Sequence, residues 1–301
     1  MEIPVNDRLN WDDLHQVVRD AIEEQTGPIS DVQSVPGTQP GFTARVYGEA
    51  DDVFIKVTPT NIPAITLHRR ELWAARRLPN GAPAPGVRWT LELGGSEVSA
   101  FELINDHARR ADLRRGSPDL EPVLDTVADL GKLLTPCPAG ARPVAEYVNG
   151  LLTKARIMLQ PASDLPDREL FKRALDGFLI DRLAGDTMLH GNLTYQHVLI
   201  KDLLVYVVGW GRTCQGAAWI DAALLGPQLL KGRHSPEEAD ALLSAIPAWR
   251  EAPRQQVAGL TALWTLFQVH QIHNAGDGQQ NPRRRLARAG QDWLAHLMKP
   301  L

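Results

Sequence analysis

Short apolar runs alternate with polar turns in the first third of the chain, whereas longer helical periodicities dominate the rest. Apolar residues first recur at three- and four-residue spacing over residues 11–22, with Asn10 before them as a candidate N-cap and Gly27-Pro28 after them as a stop. This spacing predicts an amphipathic helix. Over residues 32–57 the pattern changes to alternating runs punctuated by glycine, which predicts three antiparallel strands.

A helix and a hairpin complete the predicted N-terminal part. Residues 65–78 have helical periodicity, and the segments on either side of Gly94-Gly95, residues 87–93 and 97–104, predict a strong hairpin. The polar stretch that follows has no strand signal. We therefore expect a hinge at residues 103–108, between an N-lobe of residues 1–104 and a C-lobe of residues 105–301.

Helices dominate the predicted C-lobe. They are expected over residues 120–134, 168–183, 222–230, 236–246, 257–274 and 283–297, with only a short element at 156–159. One embedded hairpin is predicted, with strands at 198–200 and 203–208 and a tight turn at Lys201-Asp202. Strands followed by helices indicate an α+β class with a small sheet-containing lobe and a larger helical lobe.

The composition excludes several classes of protein. The 301 residues are 44% hydrophobic and 23% charged, which is ordinary for a globular chain, and the net charge of −4 gives no general case for a nucleic-acid or membrane partner. The two cysteines, Cys137 and Cys214, are too few for a disulfide framework. Without a signal-peptide pattern or a long apolar run, we expect a cytoplasmic protein.

Lys56 and Glu71 form the first candidate pair. Lys56 interrupts an apolar strand, and Glu71 lies on the helix that follows. A strand lysine paired with a helix glutamate orients the lysine toward phosphates in kinase-like sites. The four arginines on the same helix offer Glu71 a simpler role in local ion pairs, and the residues alone leave both interpretations open.

The loop PGTQPGF lies between the first two predicted strands. Gly37 and Gly41 lack a Cβ, so its backbone can approach a ligand closely. A phosphate-covering loop and a plain hairpin connection both fit. The loop matches neither the Walker pattern nor the GxGxxG pattern.

Residues 189–221 combine a polar loop, the embedded hairpin and a second loop, which is typical of a catalytic segment. The polar loop carries His190-Gly191-Asn192 and, five residues after Asn192, His197. Gly209-Trp210 ends the hairpin, and Asp221 closes the second loop. Polar residues at strand ends are where chemistry is usually found.

This arrangement resembles the aminoglycoside phosphotransferase family, which includes choline and homoserine kinases, and the similarity covers the chain from about Val32 onward. The resemblance implies a bilobal protein-kinase-like fold. It makes His190 a structural loop residue and Asp221 the brace of the catalytic loop. Asn192 stands at the position of the catalytic aspartate, His197 at that of a metal-binding asparagine and Gly209 at that of the main magnesium-binding aspartate.

The resemblance also implies a nucleotide site. Its residues would be Lys56, Glu71, Gly37, Gly41, Thr43, Glu102, Leu103 and Ile104. ATP or another nucleotide is the expected cofactor. Magnesium binding is expected to be weak or absent, because Gly209 offers no side-chain oxygen and imidazole nitrogen suits zinc, copper or nickel better than Mg²⁺.

The leading hypothesis is therefore a pseudokinase. Asn192 can orient a hydroxyl but cannot accept its proton, which alone costs about 10² to 10⁴ in rate. Such a protein would bind a nucleotide, metabolite or peptide, or serve as the non-catalytic partner of another enzyme. One alternative is an active O-phosphotransferase on a hydroxylated small molecule or peptide with unusual metal use. Another is an interaction module whose cleft is filled by side chains such as Tyr195, Gln196, His197 and Arg212.

Two charge patterns bear on the ligand. The resemblance implies that the C-terminal helices supply carboxylates to a cationic aminoglycoside substrate. Residues 257–297 contain only two carboxylates, Asp277 and Asp292, which argues against such a substrate. Arg283-Arg284-Arg285 and Arg288 form a basic patch early in the last helix, where the helix dipole disfavours cations. It is either a solvated face or a surface for an acidic partner.

Overall fold

The computed structural model describes residues 9–35, 40–104, 107–160, 165–273 and 280–299. The chain divides into two compact units. The first contains the described residues up to Ala108 together with Tyr206–Arg212, and the second contains Arg109–Val205 and the described residues from Thr213 onward. The predicted lobe bounds of residues 1–104 and 105–301 stay a prediction.

The first unit is built on a five-stranded antiparallel sheet. Its elements are α1 (Gln16–Thr26), β1 (Ile29–Ser34), β2 (Phe42–Gly48), β3 (Val53–Pro59), α2 (Ile65–Ala75), β4 (Val87–Leu93) and β5 (Ser96–Glu102). The strand order is β1-β2-β3-β5-β4. Alternate residues of β2 and β3 are buried and pack with α1, so the predicted strands and hairpin form a core on one sheet face.

The N-terminal helix begins later than the sequence pattern predicts. Asn10 caps a 3₁₀ turn at Trp11–Asp13, where it forms a capping box with Asp13. α1 then begins at Gln16, with His15 accepting the N–H of Val17. Leu14 lies between the two elements and is nevertheless buried, because the turn places it against the core of the unit.

The second unit is mainly helical. Its elements are β6 (Arg109–Arg110), α3 (Leu120–Leu133), α4 (Val144–Met158), α5 (Arg168–Asp176), β7 (Thr187–Leu189), β8 (Val198–Lys201), β9 (Leu204–Val207), β10 (Cys214–Gly216), α6 (Trp219–Lys231), α7 (Pro236–Leu243), α8 (Pro247–Arg250), α9 (Arg254–His273) and α10 (Gln280–Leu297). β9 spans the boundary between the units. Among the described residues, no helix is both long and apolar enough to cross a bilayer.

Helix α4 replaces the short element that was predicted at residues 156–159. Its buried positions, Val144, Val148, Leu151, Ala155 and Met158, follow helical spacing over four turns. Gly150 and several β-branched residues lower the intrinsic helix propensity of this segment. The helix is therefore indicated by the spacing of its apolar, buried positions and not by its residue types.

The predicted helix over residues 168–183 is also wrong in its extent, because α5 ends at Asp176. Gln256 of α9 explains the break: its Oε1 accepts the N–H of Leu179 and its Nε2 donates to the carbonyl of Gly177. These bonds satisfy backbone groups outside the helix. The chain then resumes as a 3₁₀ turn at Ile180–Leu183.

Candidate functional site

Lys56 lies on the face of β3 opposite the core. Its neighbours Ile55 and Val57 are buried, and strand alternation turns the lysine to the other side. Its Nζ lies 2.6 Å from both carboxylate oxygens of Glu71 on α2. The two side chains are 23% and 13% exposed, so this is a partly buried ion pair. The predicted contact is formed, and its nucleotide-binding role remains a prediction.

A buried histidine fixes α2 beside this pair. His68 lies one turn before Glu71, and its ring contacts Thr58 Oγ1 of β3 at 2.9 Å and Ser99 Oγ of β5 at 2.8 Å. Burial lowers the pKa of His68 below its ordinary value, so the ring is neutral at pH 7. A neutral ring with both nitrogens hydrogen-bonded ties the helix to two strands.

The other predicted nucleotide residues lie around the same sheet. Thr43 of β2 is paired in register with Lys56, and Glu102 ends β5, followed by half-buried Leu103 and buried Ile104. Gly41 has φ +106°, and a Cβ there would lie 2.5 Å from the carbonyl oxygen of Val57. That position therefore requires glycine. Gly37 lies outside the described residues.

The segment that resembles the family's metal-binding element packs within the first unit. Gly209 has φ +81°, and Trp210 is buried and donates its Nε1–H to the carbonyl of Val207. The 3₁₀ turn Trp210–Arg212 packs on α2, where Gly211 lies against Leu67. Because glycine has no Cβ, it adopts this left-handed backbone without steric strain.

In the second unit, Asp221 holds the loop that carries Asn192. Its carboxylate accepts the backbone N–H groups of His190 at 2.7 Å and Gly191 at 2.9 Å. α6 begins at Trp219 rather than at the predicted residue 222, so Asp221 lies in its first turn, where the dipole favours an anion. Burial nevertheless raises the pKa of Asp221 to about 6, against the two hydrogen bonds that favour the charged form.

The two loop histidines pack together. The rings of His190 and His197 are 5.2 Å apart, and Nδ1 of His190 accepts the N–H of Asn192 at 3.3 Å. Nδ1 of His197 lies 3.0 Å from Thr194 Oγ1. Within the described part of the chain, no group of three His, Cys, Asp or Glu side chains is arranged to hold a metal ion.

Asn192 also lines a pocket that the sequence interpretation did not identify. The pocket encloses about 70 Å³ and is formed by the Asn192 loop, α6, α9 and α10. Three of its polar residues, Thr261, Thr265 and Gln268, recur at helical spacing in the middle of α9, among mainly apolar positions. That polar stripe was the available signal, since buried helix positions are normally apolar.

Two arginines of the basic patch on α10, Arg285 and Arg288, line a separate surface recess of the second unit. Its volume is about 560 Å³, and its cationic lining residues are Lys231, Arg285, Arg288 and Lys299. Asp292 is the single carboxylate in that lining. Lys231 lies over the ring of Tyr195 at 4.3 Å, so part of its charge is already engaged.

Comparison with known proteins identifies the fold. No protein-family profile and no curated protein sequence matches the chain. Among solved structures, choline kinase LicA from Streptococcus pneumoniae matches 93% of this chain and 98% of its own with a TM-score of 0.66 at 14% identity. The ternary complex of aminoglycoside phosphotransferase APH(4)-Ia with ADP and hygromycin B matches 95% and 100% with a TM-score of 0.62 at 13% identity. This chain has the kinase-like phosphotransferase fold.

A third similar structure extends the range of substrates associated with the fold. A microcompartment-associated aminopropanol kinase matches 94% of this chain and 96% of its own, with a TM-score of 0.52 at 15% identity. The fold predicted from residues 189–221 is therefore confirmed. Fold alone does not fix chemistry, so the function depends on the residues that this chain places in its site.

Proposed function

We propose that this kinase-like protein binds a nucleotide or a small molecule but is impaired in Mg-ATP phosphotransfer, and that it acts as a binding protein or as the non-catalytic partner of an enzyme. The proposal rests on the contrast between an intact lysine–glutamate pair and altered residues at the base and metal-ligand positions. The Lys56–Glu71 ion pair is present with both oxygens at 2.6 Å, while Asn192, His197 and Gly209 occupy the positions of the base and metal ligands in the resemblance.

The metal position decides how severe the impairment is. Phosphoryl transfer needs charge neutralisation and positioning more than a general base, so the change at Asn192 alone would leave slow catalysis. Magnesium requires hard oxygen ligands, and Gly209 and His197 supply no side-chain oxygen. The packing of His197 against His190 and Thr194 supports a structural role for this imidazole.

Nucleotide binding is supported by the solved relatives. APH(4)-Ia has been crystallised with ADP and with AMP-PNP. The corresponding interaction here would use Lys56 to meet phosphate oxygens, with Glu71 holding the lysine in place. His68 supports that geometry through its bonds to β3 and β5.

Thermal shift with ATP, in the presence and absence of Mg²⁺, tests the proposal. We expect stabilisation by ATP that does not increase with Mg²⁺, that is lost in Lys56→Met, and that is retained in the control Lys132→Ala on an exposed helix face. A large magnesium-dependent stabilisation would contradict the proposed impairment. Absence of any ATP effect would remove nucleotide binding and leave the non-catalytic partner role.

A working O-phosphotransferase is the second candidate, favoured by the pocket beside Asn192. This candidate function would be established by ATP turnover in the wild-type protein that is lost in Lys56→Met. Failure to detect turnover with Mg²⁺, Mn²⁺ and Zn²⁺ would exclude it.

A further inference from the structure

The pocket beside Asn192 contains a buried acceptor without a donor. Gln228 of α6 lines the pocket and is 6% exposed. In the described part of the chain, its Oε1 accepts no hydrogen bond. Leaving a buried polar group unpaired costs roughly 1–3 kcal/mol, so a ligand that donates a hydrogen bond here would relieve a penalty already present in the folded chain.

The charge of the lining restricts what that ligand can be. All the side chains that line the pocket are uncharged, including Asn192, Gln228, Thr261, Thr265 and Gln268. A cation bound there would lose its hydration without gaining a carboxylate, and an anion would lose its hydration without gaining a cation. The ring of Trp264 would attract a cation without supplying a counter-charge, so we assign the donor that meets Gln228 to a neutral hydroxyl or amide group.

The shape of the pocket fits a short chain. Its volume of about 70 Å³ has room for about five water-sized groups. Trp264, whose ring packs against Tyr147 and Phe267, gives the pocket a flat apolar wall. Gly290 of α10 faces Thr265 so closely that a Cβ would collide with its hydroxyl oxygen, and the missing side chain keeps α10 close to this wall.

We propose that this pocket binds an uncharged, hydroxyl- or amide-bearing small molecule, and that the Gln228 side chain turns its buried Oε1 toward the pocket to accept a ligand O–H or N–H. The inference rests on the proposed function, because Asn192 links the pocket to the position of the catalytic aspartate. It sets this chain apart from solved relatives named for cationic compounds, such as choline and aminopropanol.

A series of near-isosteric three-carbon compounds separates the charge classes. The probes are 1,2-propanediol, 1-amino-2-propanol and lactate at pH 7, which are neutral, cationic and anionic. Each is measured by saturation-transfer NMR at about 10 mM, a concentration suited to ligands of about five non-hydrogen atoms. We expect the strongest transfer to the diol. Equal or stronger transfer to the amine or to lactate, or transfer to none of the three, would overturn the inference.

Gln228→Met tests the acceptor itself. We expect at least a fivefold loss of transfer to the diol, with a melting temperature of the free protein that is unchanged or higher, because the variant removes an unpaired buried acceptor. Gln33→Met on exposed β1 serves as the control and should keep the signal. Unchanged diol transfer in Gln228→Met would contradict the proposal, and the wild-type series stands even where the variant folds poorly.

The ATP thermal shift is recorded on the same samples. A retained ATP response with no preference for the diol refutes the pocket's assignment alone. Diol binding without an ATP response refutes nucleotide binding alone.

Discussion

Gly209 illustrates how a single residue limits what can be restored. Its φ of +81° lies in the left-handed region, which costs residues with a Cβ roughly 1–2 kcal/mol. Through the resemblance, the sequence predicts that a carboxylate is missing at this position. It did not reveal the backbone conformation, because glycine is compatible with nearly every φ.

We therefore expect Gly209→Asp to lower the free energy of unfolding by about 1 kcal/mol, even though it introduces the aspartate that the resemblance implies at this position. Urea denaturation measures the change. Gly86→Asp is the matched control, because its φ is outside the left-handed region and a Cβ added there would meet nothing within 4 Å. A Gly209→Asp variant as stable as wild type would show that the backbone adapts at no cost.

Asp221 gives a pH-dependent prediction at the same scale. Its pKa is about 6 in the folded chain against 3.8 for the free side chain, so the folded state binds more protons between these values. The contribution of Asp221 to stability therefore decreases as the pH rises from about 4 to about 6. The amide of Asp221→Asn has no charge to desolvate.

We expect the free energy of unfolding of Asp221→Asn to improve relative to wild type by about 2 kcal/mol over that interval. Denaturation at pH 4, 5, 6 and 7 provides the measurement. As a control, the free energy of unfolding of the exposed-site variant Asp129→Asn should change with pH in the same way as that of wild type. If the free energy of unfolding of Asp221→Asn changed with pH as that of wild type does, the two N–H donors would offset the effect of burial on the pKa of Asp221.

At the scale of elements, His68 holds α2 in position. His68→Leu keeps the volume but leaves the hydroxyls of Thr58 and Ser99 without their partner, so we expect a loss of about 1–3 kcal/mol in the free energy of unfolding. We also expect weaker ATP binding, because Glu71 lies one turn further along the helix. The exposed Thr66→Ala should change neither quantity.

The elements show where the sequence was sufficient. Hairpin β4–β5 and the strands β2 and β3 follow from local alternation and turn glycines. α5 was predicted too long because Gln256, which lies 79 residues after Gly177, satisfies the backbone there. β10 was missed because its partner is the distant β7, with which it forms a two-stranded antiparallel sheet.

The same limit applies to the turn of the embedded hairpin. The sequence placed it at Lys201-Asp202, whereas Asp202 and Leu203 both have positive φ and form the turn. Leucine rarely adopts that conformation, so the residue types predicted a turn that begins one residue too early. Lys56 with Glu71, and Asp221 with the His190 loop, make the contacts that the resemblance implied, while the roles of these residues stay predictions. The pocket at Gln228 depends on three helices that no local pattern brings together.

At the scale of the whole molecule, the net charge of −4 conceals an uneven distribution. Arg285, Arg288, Lys231 and Lys299 line one recess whose lining holds a single carboxylate, Asp292, and like charges that share a recess repel one another. We expect Arg285→Gln with Arg288→Gln to raise the melting temperature at low salt. The gain should disappear near 1 M NaCl, where the Debye length falls to about 3 Å. A gain independent of salt would point to packing instead of charge.

The first unit takes part of its structure from a late segment of the chain. Tyr206–Arg212 packs on α2, yet about 100 residues separate it from the rest of that unit. On a ribosome adding about 5–20 residues per second, roughly 5–20 s would pass before the segment is made. During that interval, the surface of α2 around Leu67 is uncovered, so we expect the newly made N-terminal unit to need protection by chaperones until Trp210 arrives.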